Sequence, residues 1–181
     1  MSGFRRLHEE PLFQGTVVSG GRALIEAPDG TRYEREVVHH PGAVVVVPVT
    51  MAGTVAILVR QYRAAVDREL LELPAGKRDV DGEAPELTAA RELEEEIGMR
   101  ARSLRKLVEF FNTPGFCDEH TTVYLATDLE PCESRAHGVE EEHMTVEPVA
   151  LAEVDALVDA GEICDAKTII GLCLARRVLA R

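Results

Sequence analysis

The six residues Arg91 to Glu96 read R-E-L-E-E-E: four carboxylates against one guanidinium, a formal charge of −3. On a helix turning 100° per residue, Glu92, Glu95 and Glu96 fall within about 100° of one another, while Leu93 and Ile97 point elsewhere. Like charges at helical spacing repel. Such a stripe is either a solvated face or a set of hard oxygen ligands, at i, i+3 and i+4, for a divalent cation. Arg91, four residues before Glu95, can neutralise one carboxylate but not four. A second acidic cluster, V-E-E-E-H-M (Val139 to Met144), lies on a loop that could swing a proton acceptor over a reacting water. Glu140, Glu141 and Glu142 all remain open for that part.

These residues need elements to hold them. Pro85 suits the first turn of a helix and Gly98 its end, with Ala90, Leu93 and Ile97 on one apolar face between them. The strand E-L-L-E-L (69–73) runs through Pro74-Ala75-Gly76 into a loop with Gly82 and Glu83, and so delivers backbone oxygens to the start of that helix. Upstream, 42–49 is apolar throughout, as a buried strand would be, and 53–62 follows as another. From Thr16 to Val38 the alternation is half polar, with turn signals at Gly20-Gly21 and Asp29-Gly30, which predicts short exposed antiparallel strands. Strands are expected again at 104–111 and 121–127. Two helices, Leu151 to Ala160 and Asp165 to Ala180, follow. The order predicts an α/β (α+β) fold, a mixed sheet with helices packed on it.

The 181 residues suffice for one main domain with a proper core, and 45% hydrophobic and 29% charged residues are ordinary for a globular chain. A net charge of −12 speaks against a nucleic-acid surface, though not against a nucleotide when a metal supplies positive charge. Four cysteines without metal-type spacing read as free thiols of a reducing compartment. With no signal-like or membrane-length apolar run, a cytoplasmic protein is expected.

The segment from Leu73 to Met99 resembles the Nudix box, a pattern of Gly, then Glu, then Arg-Glu-apolar-x-Glu-Glu-x-Gly-apolar. Gly76, Glu83 and R-E-L-E-E-E-I-G-M (Arg91 to Met99) match it, as do the seven residues between Glu83 and Arg91. Six residues separate Gly76 from Glu83, where the common pattern has five. The resemblance implies the Nudix fold, a mixed β-sheet sandwiched between helices, and hydrolysis of a nucleoside diphosphate linked to another group. It implies Glu92 and Glu96 as principal metal ligands, Glu95 as a further one, and the Ala75 carbonyl beside them, with Mg²⁺ or Mn²⁺ as the cation. Gly76, Glu83, Arg91 and Gly98 would be structural.

Pro114, sixteen positions after Gly98, together with R-E-V-V, G-A-V-V-V-V-P, Q-Y-R and E-L-P-A-G, makes residues 15 to 175 similar to bacterial ADP-ribose pyrophosphatases. That similarity implies ADP-ribose as substrate and AMP and ribose 5-phosphate as products. Arg35, Arg63, Pro114 and Glu119 would line the substrate, and Glu141 would be the general base ahead of Glu140 and Glu142. Phe116 is expected in the core. Residues 1–40 would be an N-terminal antiparallel strand region, packed or exchanged across a homodimer, and 41–181 the hydrolase domain. Competing readings are an enzyme for another nucleotide sugar or a dinucleoside polyphosphate, and a non-catalytic nucleotide sensor. Intact Glu92, Glu95 and Glu96 weigh against the sensor.

Overall fold

A computed structural model describes residues 3–133 and 143–180. The chain divides into two units, Met1–Gly42 with Phe110–His120, and Ala43–Glu109 with Thr121–Arg181. The first unit thus includes a segment from mid-chain besides the expected N-terminal region. It holds an antiparallel sheet of β1 (Arg5–Gln14), β2 (Ser19–Glu26) and β3 (Arg32–His39), in that order. The Asp29-Gly30 turn forms as predicted, with Gly30 at φ 86° and the Thr31 amide donating to Asp29 Oδ1 at 2.9 Å.

Gly20-Gly21 is not a turn. Both glycines lie inside β2, opposite Phe13 and Pro11 of β1. A Cβ on Gly20 would stand 2.1 Å from the Phe13 ring, and one on Gly21 2.3 Å from Glu9 Oε1. The glycines let β1 side chains lie across their neighbour, the second meaning a strand glycine can have. The actual turn closes with the Gly15 amide on Val18 O at 2.8 Å. In this unit His39 bridges two carboxylates, Nδ1 to Asp118 at 2.6 Å and Nε2 to Glu9 at 2.5 Å, and so ties β1, β3 and the 110–120 segment together.

The second unit is built on β4 (Ala43–Thr50). It is parallel to β9 (His120–Pro131) on one side. On the other it is antiparallel to β7 (Ala75–Lys77) at its start and to β5 (Val55–Arg63) at its end. β6 (Arg68–Glu72) and β10 (Thr145–Ala150) pair with β5, and β8 (Met99–Phe111) neighbours β9. Every residue from Val44 to Val49 is buried because helices cover both faces of β4. On one face α1 (Pro85–Ile97) packs Ala89, Leu93 and Ile97 with Val44, Val46, Val59 and Tyr124. On the other lies α3 (Ala166–Leu179). A Cβ on its Gly171 would stand 2.6 Å from Leu73 and 3.1 Å from Val47, so the glycine sets how closely that helix approaches. The short α2 (Val154–Asp159) precedes it. The expected sandwich of a mixed sheet between helices is therefore present. Among the described residues, no helix is long and apolar enough to cross a membrane.

Candidate active site

Helix α1 starts and stops where its sequence says. Pro85 fills the first turn, where a missing N–H costs nothing, and Gly98 ends the helix at φ 62° with its amide on Glu94 O and Leu93 O. Ala89 rather than Ala90 completes the buried face. That face fixes the rotation of the helix, and the rotation carries Glu92 and Glu96 inward, to 7% and 8% exposure. The acidic stripe is not a solvated face.

The strand before the helix supplies the opposite wall. β6 passes through buried Pro74, whose carbonyl accepts the Val46 amide at 2.9 Å, and the chain re-enters the sheet as β7, with Ala75 opposite Val45 and Gly76 opposite Val44. The Ala75 amide donates to Glu96 Oε2 at 3.1 Å. A Cβ on Gly76 would stand 1.9 Å from Glu92 Cδ, so the bare glycine backbone is the bed on which that carboxylate lies. Gly76 is not among the glycines at positive φ, and its purpose is close approach alone.

Arg91 gathers the remaining charges. Its Nη1 is 2.8 Å from both Glu92 Oε1 and Glu95 Oε2, and its Nη2 is 3.4 Å from Glu83 Oε2. Burial pulls the guanidinium pKa down, but the three carboxylates outweigh it and hold the value above the ordinary one. Glu83 also accepts the Thr88 hydroxyl at 2.8 Å. That bond, ahead of Arg91, keeps the carboxyl below its usual range. The box residues Gly76, Glu83 and Arg91, with Ala75, Glu92, Glu95 and Glu96, are thus linked by direct contacts, while Gly98 ends the helix that carries four of them. Among the described residues no group of three His, Cys, Asp or Glu side chains is arranged to share one ion, and Glu92 and Glu95 are paired with Arg91. The donor set is nevertheless all hard oxygen on a cradle a single methyl would fill, and it fits a small divalent cation.

The other predicted residues are placed as follows. Arg63 forms a two-pronged pair with Glu72, at 2.9 and 2.7 Å, which raises its pKa. In the first unit Arg35 is exposed on β3, stacked over the Tyr33 ring at 4.5 Å and donating to Glu34 O. Pro114 is exposed in a turn closed by the Phe116 and Cys117 amides on Thr113 O, and Glu119 is half-buried with its carbonyl on the Asn112 amide. Phe116 is 58% exposed, not core, because this turn lifts it off the sheet. Glu140, Glu141 and Glu142 lie outside the described residues. Three further charged residues were not singled out from the sequence. Glu72 is buried to 1% exposure, Lys167 reaches it from α3, and Arg78, between Gly76 and Glu83, buries an Nε without a hydrogen-bond partner among the described residues. A charged residue inside E-L-L-E-L was a usable signal for the first.

Residues 39–169 match the NUDIX domain family. The chain is 42% identical to an ADP-ribose pyrophosphatase of Bacillus subtilis (strain 168), over 91% of this chain and 88% of that protein. It is also 42% identical to an ADP-ribose pyrophosphatase of Mycobacterium tuberculosis (strain ATCC 25618 / H37Rv), over 97% and 84%. A crystal structure of an ADP compounds hydrolase superposes with a TM-score of 0.84 at 26% identity, covering 98% of this chain and 94% of that one.

Proposed function

The chain belongs to the NUDIX family, and on that premise we propose that it is an ADP-ribose pyrophosphatase, adding water across the phosphoric anhydride to give AMP and ribose 5-phosphate. The observation that carries the reading is the pair of buried carboxylates, Glu92 and Glu96, held against the Ala75–Gly76 backbone. Two buried carboxylates one turn apart on the same helix are the hard oxygen ligands that a small divalent cation takes. Glu92 and Glu96, with Glu95 at their edge and the Ala75 carbonyl beside them, would hold Mg²⁺ or Mn²⁺, which when bound neutralises phosphate charge and acidifies a ligated water.

The protein's own residues do the rest. Glu83 and Arg91 lock the loop to α1, so that the carboxylates keep their places. Arg63 and Arg35 bind phosphate oxygens, Glu119 accepts from ribose hydroxyls, and the Pro114 turn shapes that side of the substrate. Glu141 takes the proton as the water oxygen bonds to phosphorus and the bridging P–O bond breaks, with Glu140 and Glu142 as the neighbouring alternatives. The protein works as a homodimer in the cytoplasm. Exposed Phe4, Leu12 and Phe13 along the N-terminal strand region support the pairing, and free Cys117, Cys132, Cys164 and Cys173 suit a reducing compartment.

Turnover of a panel of nucleoside diphosphate compounds by the purified protein with Mg²⁺ tests the reading. ADP-ribose is expected to give the highest kcat/KM. A tenfold preference for GDP-mannose or a diadenosine polyphosphate would reject the substrate and leave the family chemistry standing.

A further inference from the structure

Two cations hold one buried anion at the end of β6. Glu72 is 1% exposed, and Arg63 grips it with Nε on Oε1 at 2.9 Å and Nη2 on Oε2 at 2.7 Å, while Lys167 reaches Oε2 at 2.6 Å. A buried carboxylate requires a charged partner, because an unpaired one costs more than the pair is worth. A second cation is surplus to that requirement.

The two cations are not held alike. Lys167 Nζ also donates to Asp165 Oδ1 at 2.8 Å. The other oxygen of Asp165 caps α3, accepting the Thr168 amide at 2.9 Å and its hydroxyl at 2.6 Å. The same hydroxyl accepts the Leu73 amide at 2.9 Å, so Lys167 is anchored at the junction that leads into Ala75-Gly76. For the Arg63 guanidinium, Glu72 is the one hydrogen-bonding partner among the described residues. The charge of Glu96 in the carboxylate cradle also reaches Arg63. Two residues back along β5, on the same face, Gln61 is 6% exposed and its Nε2 has no hydrogen-bond partner among the described residues. This end of β5 therefore has donor capacity left for an incoming acceptor.

We propose that Glu72 holds Arg63 in reserve and that Lys167 is the positioning residue that frees it: as the diphosphate binds, Arg63 turns from Glu72 to the phosphate oxygens, and Lys167 keeps the buried carboxylate paired. The proposal rests on the pyrophosphatase reading of this site. Without Lys167 the same movement would strand Glu72, so substrate binding is weakened while chemistry after binding is not.

Steady-state kinetics with ADP-ribose and Mg²⁺, with a thermal melt on each variant, test it. Arg63→Met should raise KM at least tenfold. Lys167→Met should raise KM about tenfold or more with kcat within threefold, and Lys167→Arg should restore it. Glu72→Gln, alone or combined with Lys167→Met, removes the anion that would be stranded, and KM should return to the wild-type value or fall below it. The Glu72→Gln arm stands even if Lys167→Met melts below the assay temperature. Equal KM defects in Lys167→Met and the double variant, or a tenfold rise in Glu72→Gln alone, overturn the proposal while the pyrophosphatase reading survives. An unchanged KM in Arg63→Met removes Arg63 from the substrate and overturns the proposal at its root. Failure of every form, wild type included, to turn over ADP-ribose rejects the functional reading instead.

Discussion

Gly76→Ala separates the site from the fold. The added methyl would lie 1.9 Å from Glu92 Cδ, 2.0 Å from Oε1 and 2.3 Å from Cγ, where ordinary contact begins near 3.4 Å. About 1.5 Å must therefore be found, from the same distances. It will come from the Glu92 side chain, because the Gly76 backbone is fixed by its pairing with Val44, while the carboxylate ends a flexible chain. Misplacing a reacting or ligating group by about 1 Å costs on the order of 10²-fold in rate, so kcat/KM for ADP-ribose should fall about 10²- to 10³-fold. Stability should hardly change. Replacing glycine where φ is permissive gains about 0.4–1 kcal/mol through the unfolded chain, which offsets part of the strain. At roughly 2–4 °C per kcal/mol for a chain of this size, Tm should stay within about 4 °C of wild type. Paired kinetics and melting curves are the assay. A Gly76→Ala enzyme within threefold of wild-type kcat/KM would show that Glu92 need not lie on that backbone, and the account of the cradle would be wrong.

Three further outcomes concern the ligands, the base and the His39 cluster, and a fourth the assembly. Glu96→Gln removes a hard ligand, so raising Mg²⁺ should restore part of its rate. Glu141→Gln should lose roughly 10²–10⁴-fold in kcat, the usual worth of a positioned base, and regain none of it with metal, and a near-normal kcat would move the base to Glu140 or Glu142. His39 has its pKa raised by its bonds to Asp118 and then Glu9, and both carboxyls are lowered. The His39 contribution is thus full below its free value of 6.5 and lost as pH rises through the higher folded value. The carboxylates lose theirs as pH falls through their lowered values. The Tm deficit of His39→Gln should accordingly be larger at pH 6 than at pH 8.5, and an equal deficit at both would remove the charge from the explanation. Light scattering should return twice the 19.8 kDa chain mass, and a monomer at micromolar protein would reject the dimer.

Local signals were legible because their causes are local. Pro85, Gly98 and a 3.6-residue apolar period define α1 without reference to the rest of the chain. β1 left no such trace. Its pairing with β2 shifts register between Arg6 and His8 and again between Pro11 and Phe13, and each irregularity breaks the two-residue alternation by which strands are read. Gly20-Gly21 misled for a related reason, since a glycine pair marks a turn in sequence but here makes room for a neighbour's side chains. Lys167 and Glu72 are 95 positions apart, and His39 and Asp118 are 79 apart. Nothing in composition or period announces either pairing, which only the folded sheet creates.

The longer loop between Gly76 and Glu83 shows how a departure from a pattern can leave a site whole. What the site needs is that both ends of the loop stay fixed, and they do. Gly76 is paired with Val44, and Glu83 is held by Thr88 and Arg91. Between them Gly82 takes φ 74°, with nothing within 4 Å of where a Cβ would stand, and the Glu83 amide closes the turn on Val80 O at 3.2 Å. Slack in an exposed glycine turn costs little. A loop of this length leaves Glu96 on the Ala75 amide and Glu92 against Gly76.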